Sequence, residues 1–497
     1  MDKPKTASKG YILKILFVLF PAIAFGLDAC DPVEPGEAEK DASGKKSGKK
    51  SAEDDSICDQ RVCDCPGAAV GVPLCDDDGE PESCRCPSKL LDAAYIFDND
   101  ELRTYELQLS QENLDTINAD PTAEQYVEGA LVFEGQTYER VGIRYKGSVG
   151  AFMGCVQRVS LLGFETGAKT CAKLSMKVSF NWQDPDARFY GMKKLQFHAM
   201  NLDSSLMRER LGYALFNEMN VPAPRVVHAR LLVNGKLEGL FALVEQIDGR
   251  FTRGRFAEGG KGNLYKEIWP IHDDPDAYVL ALKSNTRDPN VDKILAFKQA
   301  IEDAEDPTDL DDWLDLDYQM RYIAVDRTIV NDDGIFHWWC IPRASGNNPG
   351  GVGNHNYYWY EEADADRFWL LPWDLDNILS ERRSFVSINT PWDASEVACR
   401  CSFTQQPAGC DRLTQLWATM QSKYKKQVRK LLKGPFSKKK VDAKLELWAE
   451  QIDEAVHEQA EATHNGVQLT YEAWQAALSS LRDSLEQLRE RAGVLIQ

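Results

Sequence analysis

The 497 residues carry 78 acidic against 58 basic side chains, a formal net charge of −20. So acidic a chain repels a phosphate backbone, which excludes a general nucleic-acid binder. Its apolar content of 43% is ample for a sizeable core, and its length suits two or three domains.

Residues 1–30 read as an export signal. Lys3, Lys5, Lys9 and Lys14 form the positive end, and residues 15–26 form an apolar run too short for a membrane span. The run ends Leu27-Asp28-Ala29-Cys30, which resembles a lipoprotein cleavage box with Asp28 unusual at its position. The resemblance implies that Cys30 is acylated and becomes the new N-terminus; ordinary signal cleavage that leaves Cys30 free or removes it is the alternative. Residues 31–57 are rich in Glu, Asp, Lys, Ser and Gly; they cannot bury enough surface to offset chain entropy and read as a disordered tether. Residues 58–88 hold six of the thirteen cysteines and need disulfides to keep any shape. Six further cysteines, Cys155, Cys171, Cys340, Cys399, Cys401 and Cys410, are spread through the body. One modified cysteine plus two disulfide-bonded sets fits an oxidising compartment, with a zinc site from the crowded six as the alternative.

The globular body begins at Leu90. Residues 130–145 predict a hairpin turning at Glu134-Gly135, running into Lys146-Gly147-Ser148-Val149-Gly150. A small-residue loop after a strand lets backbone N–H groups approach phosphates. Cys155 and Cys171 bound a disulfide-closed flap. Residues 173–180 alternate, with Lys173, Ser175, Lys177 and Ser179 on one face. That pattern reads either as a half-exposed edge strand with solvated lysines or as a strand presenting a lysine to phosphates. Asp203 or Ser204 caps a helix carrying Arg208, Glu209, Leu211, Leu215 and Met219. Two apolar strands flank Asn234-Gly235, the strongest short hairpin signal, and Glu245 ends the second. Residues 270–316 read as acidic helices broken at Asp288-Pro289 and Asp306-Pro307. Residues 318–330 read as a further helix, and residues 411–497 as a mostly helical C-terminal region with a basic run at 423–440.

The centre of the chain is 326–376. Asn331-Asp332-Asp333-Gly334 precedes a Gly/Pro/Asn-rich insertion, then Asn354-His355-Asn356-Tyr357-Tyr358-Trp359-Tyr360, then Pro372-Trp373-Asp374-Leu375-Asp376. Two acidic clusters flanking an Asn suit phosphoryl transfer: one carboxylate orients a hydroxyl, while the Asn and a second carboxylate hold a divalent metal. Aspartates in ordinary turns are the alternative. The aromatic run reads as core strand.

This stretch resembles the CotH family, the spore-coat-protein-H-type atypical protein kinases, whose pattern is Asn-x-Asp-Gly, Asn-Tyr-Tyr and Pro-Trp-Asp-x-Asp. The hairpin at Asn234-Gly235 with Gly239 and Glu245, and Gly262-Asn263-Leu264-Tyr265-Lys266, resemble further family signatures. The resemblance covers roughly residues 125–380 and fades after Leu379; Ser148-Val149-Gly150 departs from the family's Asn-Ser-Ser. It implies an α+β fold, two-lobed and kinase-like, over 90–410, between the disulfide-rich segment and the helical region 411–497. It aligns Asp333 with the catalytic aspartate, Asp332 being second choice, and puts Lys177 or Lys173 on the phosphates. Lys146, Gly147, Ser148 and Glu245 would contact nucleotide, Glu245 being otherwise structural. Glu209 would be the helix carboxylate that pairs a strand lysine, or else a surface charge. Asn356, favoured over Asn354, would join Asp374 and Asp376 on the metal. The implied activity is transfer of the γ-phosphoryl of ATP, with Mg²⁺ or Mn²⁺, to Ser/Thr of surface or coat proteins. The chain would be held in the cell envelope by a lipid on Cys30. An adhesion protein or a nucleotide-binding pseudokinase on the same fold is the alternative.

Overall fold

Alternation of apolar and polar residues builds the first half of the body. The computed structural model describes residues 92–147, 155–159, 165–256, 259–341, 351–380, 405–461 and 469–497, residues 152, 392 and 399, and the backbone of 63–65, 69–75 and 81–85. Seven strands close a barrel: β1 (Arg103–Gln108), β2 (Val127–Phe133), β3 (Gln136–Tyr145), β4 (Met176–Ser179), β5 (Lys194–His198), β6 (Val226–Val233) and β7 (Lys236–Val244). Their order is β5-β7-β6-β1-β2-β3-β4, with β4 pairing back onto β5. Every neighbour is antiparallel except β6 and β1, which run parallel. Both expected hairpins form. Glu134 and Gly135, and likewise Asn234 and Gly235, all take positive φ, the twist that a two-residue hairpin turn requires. Asn234 also ties its hairpin to the end of β1, accepting from Leu109 N–H at 2.8 Å and donating to Leu109 carbonyl at 3.0 Å.

Two hydrophobic cores share the β6–β7 wall. Val227, Ala229, Leu231, Phe241 and Leu243 point into the barrel, while Val226, Leu240, Ala242 and Val244 point outward into a second, larger core. Helix α1 (Arg208–Glu218) and helix α2 (Leu316–Thr328) contribute to this second core, as does a three-stranded antiparallel sheet of β8 (Leu264–Lys266), β9 (Tyr357–Glu361) and β10 (Phe368–Pro372). All five residues of β9 are buried, so the aromatic run is core strand, as its composition predicts. The acidic stretch forms two helices, Pro275–Ala281 and Asp292–Asp303, and Asp306 caps the short turn that Pro307 opens.

The C-terminal helices α3 (Arg412–Thr419), α4 (Gln421–Lys433), α5 (Lys438–Glu461) and α6 (Tyr471–Leu495) complete the same second core through Val441, Leu445, Ile452, Trp474, Leu478 and Leu485. Gln459 on α5 accepts from the Leu240 N–H of β7 at 2.7 Å, and Trp474 on α6 donates to the Ser205 carbonyl just before α1 at 3.2 Å. No described helix is long and apolar enough to cross a membrane.

Two local expectations change. Strand β4 lies between β3 and β5 and is no edge strand, so Lys177 is buried rather than solvated. Met207, not Asp203 or Ser204, occupies the cap position of α1. Asp203 still serves the helix from further back, accepting from the Arg208 N–H at 2.8 Å. Cys155 and Cys171 are disulfide-bonded as expected, and Cys399 bonds Cys410. Cys340 is disulfide-bonded to a residue outside the described ones. Cys30 and the pairing of the six cysteines of 58–88 also lie outside them; the backbone there forms a small three-stranded antiparallel sheet.

Gly239 has φ +129, and an added Cβ would collide with Gln459 Oε1. Gly239→Ala is therefore expected to destabilise the protein by about 1–3 kcal/mol in urea unfolding. Unchanged stability would mean that α5 does not clamp β7 in solution.

Candidate functional site

The site grows from the outer face of the barrel where α1 packs on it. Along β5, Leu195 and Phe197 turn into the barrel, so Gln196 and His198 face outward. His198 Nδ1 lies 2.8 Å from Glu209 Oε1 and 3.1 Å from Oε2, and Lys146 Nζ lies 2.8 Å from Nε2. Burial and the Lys146 charge push His198 well below its ordinary range. The ring is therefore neutral, accepting from the Lys146 ammonium and donating to Glu209. Glu209 is 2% exposed, so it is not a surface charge. Burial, with Asp374 beside it, pushes its carboxyl well above the usual range. Burial lowers the Lys146 ammonium pKa, against the pull of Asp374 and Glu209.

Helix α1 carries three adjoining contacts. Glu209 reaches the histidine. One turn on, the Tyr213 hydroxyl accepts from the Asp374 backbone N–H at 2.9 Å, where Asp374 takes a left-handed φ of 52°. Between them Gly212 leaves room for the turn that follows Asp374: an added Cβ would lie 2.5 Å from Ile378 Cδ1 and 3.0 Å from Leu375 Cδ1. His198, Glu209 and Asp374 each offer a ligand atom within 4.8 Å of the others, a group able to hold a metal ion. Asp376, half-buried beside them, has its carboxyl pushed well up by burial and by Asp374, Glu209 and Asp333.

Asp333 sits in the turn after α2. Its Oδ1 accepts from Trp339 Nε1 at 2.8 Å and its Oδ2 from Asn356 Nδ2 at 3.0 Å. Burial raises its pKa to about 6. Gly334 is required behind it, because a Cβ there would meet the Asn331 side chain, which itself donates to buried Asp326 at 2.7 Å. The structure separates the paired choices left by the sequence. Asn354 donates to the Ile335 carbonyl at 2.9 Å, while Asn356 faces Asp333; the Asp332 carbonyl lies against His337 Nδ1.

Lys146, Asp333, Asn356, Asp374 and Asp376 thus come together. Two expected residues sit elsewhere. Lys173 Nζ donates to the Leu240 carbonyl at 2.5 Å over the Phe241 ring, and burial lowers its pKa to about 7. Glu245 is held by Arg225, with Nη2 to Oε1 at 2.8 Å, and by Arg255, with Nη2 to Oε2 at 2.5 Å. It is the centre of a buried ion cluster, which favours the structural reading of this residue. Lys177 stands in the neighbouring row, between Arg144 and Gln196. The Gly147 N–H donates to Glu124 at 2.9 Å, and Ser148 lies outside the described residues. Lys146, just past the end of β3, is joined to Glu209 through His198. The sequence signal for His198 was its outward place in the β5 alternation; Tyr213 and Trp339 had none.

The CotH kinase protein family matches residues 143–491, well over half the chain. The chain belongs to the CotH kinase family. The match runs past Leu379, where the motif resemblance fades, and takes in most of the C-terminal helices. Inner spore coat protein H of Bacillus subtilis strain 168 is 25% identical over 192 residues, 38% of this chain and 50% of that protein, so the match spans half of the relative's length. Among solved structures, the Helicobacter pylori proinflammatory kinase CtkA is 10% identical with a TM-score of 0.24, covering 65% of this chain and 95% of that one. A chain of the Shewanella oneidensis MR-1 HipA–HipB–operator DNA complex is 11% identical with a TM-score of 0.22, covering 61% and 60%. Likenesses that distant carry no argument here; membership rests on the family match.

Two predictions follow the geometry. Gly212→Val should push α1 off the turn after Asp374, costing about 1–3 kcal/mol of stability and weakening Mn²⁺ binding measured by titration calorimetry; full-strength binding would show that the close approach is not needed. Burial alone would raise the Glu245 pKa, but Arg225 and Arg255 hold it below the usual range. A depressed carboxyl stabilises the fold above its unfolded pKa and loses that contribution as pH falls through its folded one. Glu245→Gln should therefore cost roughly 2 kcal/mol at pH 7, and the gap from the parent should shrink below about pH 4 in denaturant titrations; a gap independent of pH would sink the ion-cluster account.

Proposed function

We propose that this chain is an exported, two-lobed protein kinase that transfers the γ-phosphoryl group of ATP to Ser/Thr hydroxyls of surface or coat proteins. The observation that supports it is the meeting of the Lys146–His198–Glu209 series with Asp374 and Asp376, facing an Asp333 held by Asn356 and Trp339.

The donor set suits a divalent ion. Carboxylates of Asp374, Asp376 and Glu209 crowd together, and the raised pKa values of Glu209 and Asp376 mark negative charge that a cation would relieve. His198 has both ring nitrogens engaged by Lys146 and Glu209, so the oxygen donors are the ones left to hold Mg²⁺ or Mn²⁺. A bound divalent ion neutralises phosphate oxygens and favours departure of the leaving group. The remaining work belongs to the chain. Lys146 offers its ammonium to phosphate oxygens, and His198 and Glu209 keep that ammonium aimed. Asp333, its two oxygens oriented by Asn356 and Trp339, aligns the acceptor hydroxyl and takes its proton as the phosphorus–oxygen bond forms. A base whose pKa is near 6 is ionised at neutral pH and still basic enough to assist. Positioning and charge neutralisation supply the acceleration.

The test is transfer of label from γ-³²P-ATP to the protein itself or to a Ser/Thr acceptor, with Mg²⁺ or Mn²⁺. Asp333→Asn, Asp374→Asn and Lys146→Met should each lower transfer by at least about 10²-fold in a folded protein, and chelation should abolish it. Thermal stabilisation by Mg–ATP without transfer would make the chain a pseudokinase. Neither transfer nor stabilisation would favour an adhesion or binding role.

A further inference from the structure

The basic run at the α4–α5 elbow is out of keeping with the rest of the chain. Against a net charge of −20, residues 421–441 hold nine Lys or Arg and no Asp or Glu. Helix α4 buries Tyr424, Gln427, Val428 and Leu431. At 3.6 residues per turn, Lys423, Lys426, Lys430 and Lys433 then fall in one stripe on the opposite side, about 15 Å long. All four are exposed. Lys438, Lys439 and Lys440, also exposed, open α5.

The fold gains little from most of this placement; only Lys430 and Lys433, in the last turn of α4, complement a helix dipole. Lysines in the first turn of a helix oppose the positive end of its dipole, and like charges three and four residues apart repel. Lys423 lies 3.8 Å from Asp317, and Lys438 lies 2.8 Å from Asp442. Lys426, Lys430, Lys433, Lys439 and Lys440 make no ion pair among the described residues. What would repay the repulsion is an external anionic surface. Eight of the nine basic residues are lysine and one is arginine. Lysine is a flexible point charge without the bidentate fork that reads a shaped anion, so the stripe suits a diffuse negative field. No exposed aromatic residue lies among these lysines on which a base could stack.

We infer that the face formed by Lys423, Lys426, Lys430, Lys433, Lys439 and Lys440 docks on the anionic headgroups of a lipid bilayer. Polybasic segments bind such surfaces additively and reversibly, and release as salt rises. The face shares no residue with the proposed phosphotransfer site, and its role stands whether or not the chain transfers phosphate.

The experiment is co-sedimentation of the full chain, made as Cys30→Ser so that no acyl chain is attached, with neutral phosphatidylcholine vesicles and with vesicles of roughly 30 mol% phosphatidylserine. The apolar run 15–26 and the flanking Lys3, Lys5, Lys9 and Lys14 are common to parent and variant, so the difference between those two proteins on anionic vesicles reports the lysines of α4. The parent should prefer the anionic vesicles by at least about tenfold at low salt, losing that preference at about 1 M salt. The Lys426→Glu, Lys430→Glu, Lys433→Glu triple variant should bind anionic vesicles at least about tenfold more weakly than the parent, while Lys236→Glu, at the start of β7, should bind as the parent does. Lys430→Glu and Lys433→Glu place negative charge at the C-terminal end of α4, so parent and triple variant are compared at a temperature where circular dichroism shows both folded. An equal preference in parent and triple variant would overturn the assignment. So would indifference to anionic vesicles combined with binding to polyglutamate through these lysines, which would make the face a protein-docking surface.

Discussion

Glu209 is a carboxyl group almost wholly removed from water, and most of the site follows from how that burial is compensated. An unpartnered buried charge costs several kcal/mol. Here the His198 ring meets Glu209 on one edge and Lys146 on the other. Helix α1 can therefore seat against the barrel only where the end of β3 and the end of β5 bring those two residues to it. Gly212 permits that seat to include the turn after β10, and Tyr213 fastens the Asp374 backbone there. The ends of β3, β5 and β10 are thus held to one helix, the first two through the Lys146–His198–Glu209 series and the third through Tyr213.

The same helix depends on the layer outside it. Strands β6 and β7 are walls to two cores, so any shift in them is felt on both sides. The C-terminal helices press on that wall through Gln459 and on the approach to α1 through Trp474. Arg210, next to Glu209 but pointing the opposite way, reaches the Asn99 carbonyl, His228 and Gln451. Helices whose sequence carries no recognisable chemistry are thus part of what positions the chemical groups, in keeping with a family match that extends through them.

Much of the local structure was legible before folding is considered. Asn234-Gly235 and Glu134-Gly135 made their hairpins because only a left-handed pair of residues follows the twist of two antiparallel strands. The periodicity of 208–219 and of the C-terminal segments predicted helices that form. The motif residues Asp333, Asn356 and Asp374 do converge. The reading failed where neighbours in space, not in sequence, set the environment. Alternation alone cannot distinguish an edge strand from a barrel strand, so Lys177 reads as solvated until β3 and β5 flank it. Glu245 matches a family signature, yet its partners Arg225 and Arg255 lie 20 residues before and 10 residues after it, and only their folding around it reveals an ion cluster.

By itself, then, the sequence determined the hairpins, the helices, the aromatic core strand and the set of acidic residues available for phosphate chemistry, because each rests on φ/ψ preference, periodicity or residue type. Only the tertiary structure decided that Lys146 and His198 lie beside that set, and whether Asn354 or Asn356 faces Asp333. Those are questions of distance between strands and helices remote in the chain, and burial, which fixes the protonation and partners of such groups, is a property of the assembled cores alone.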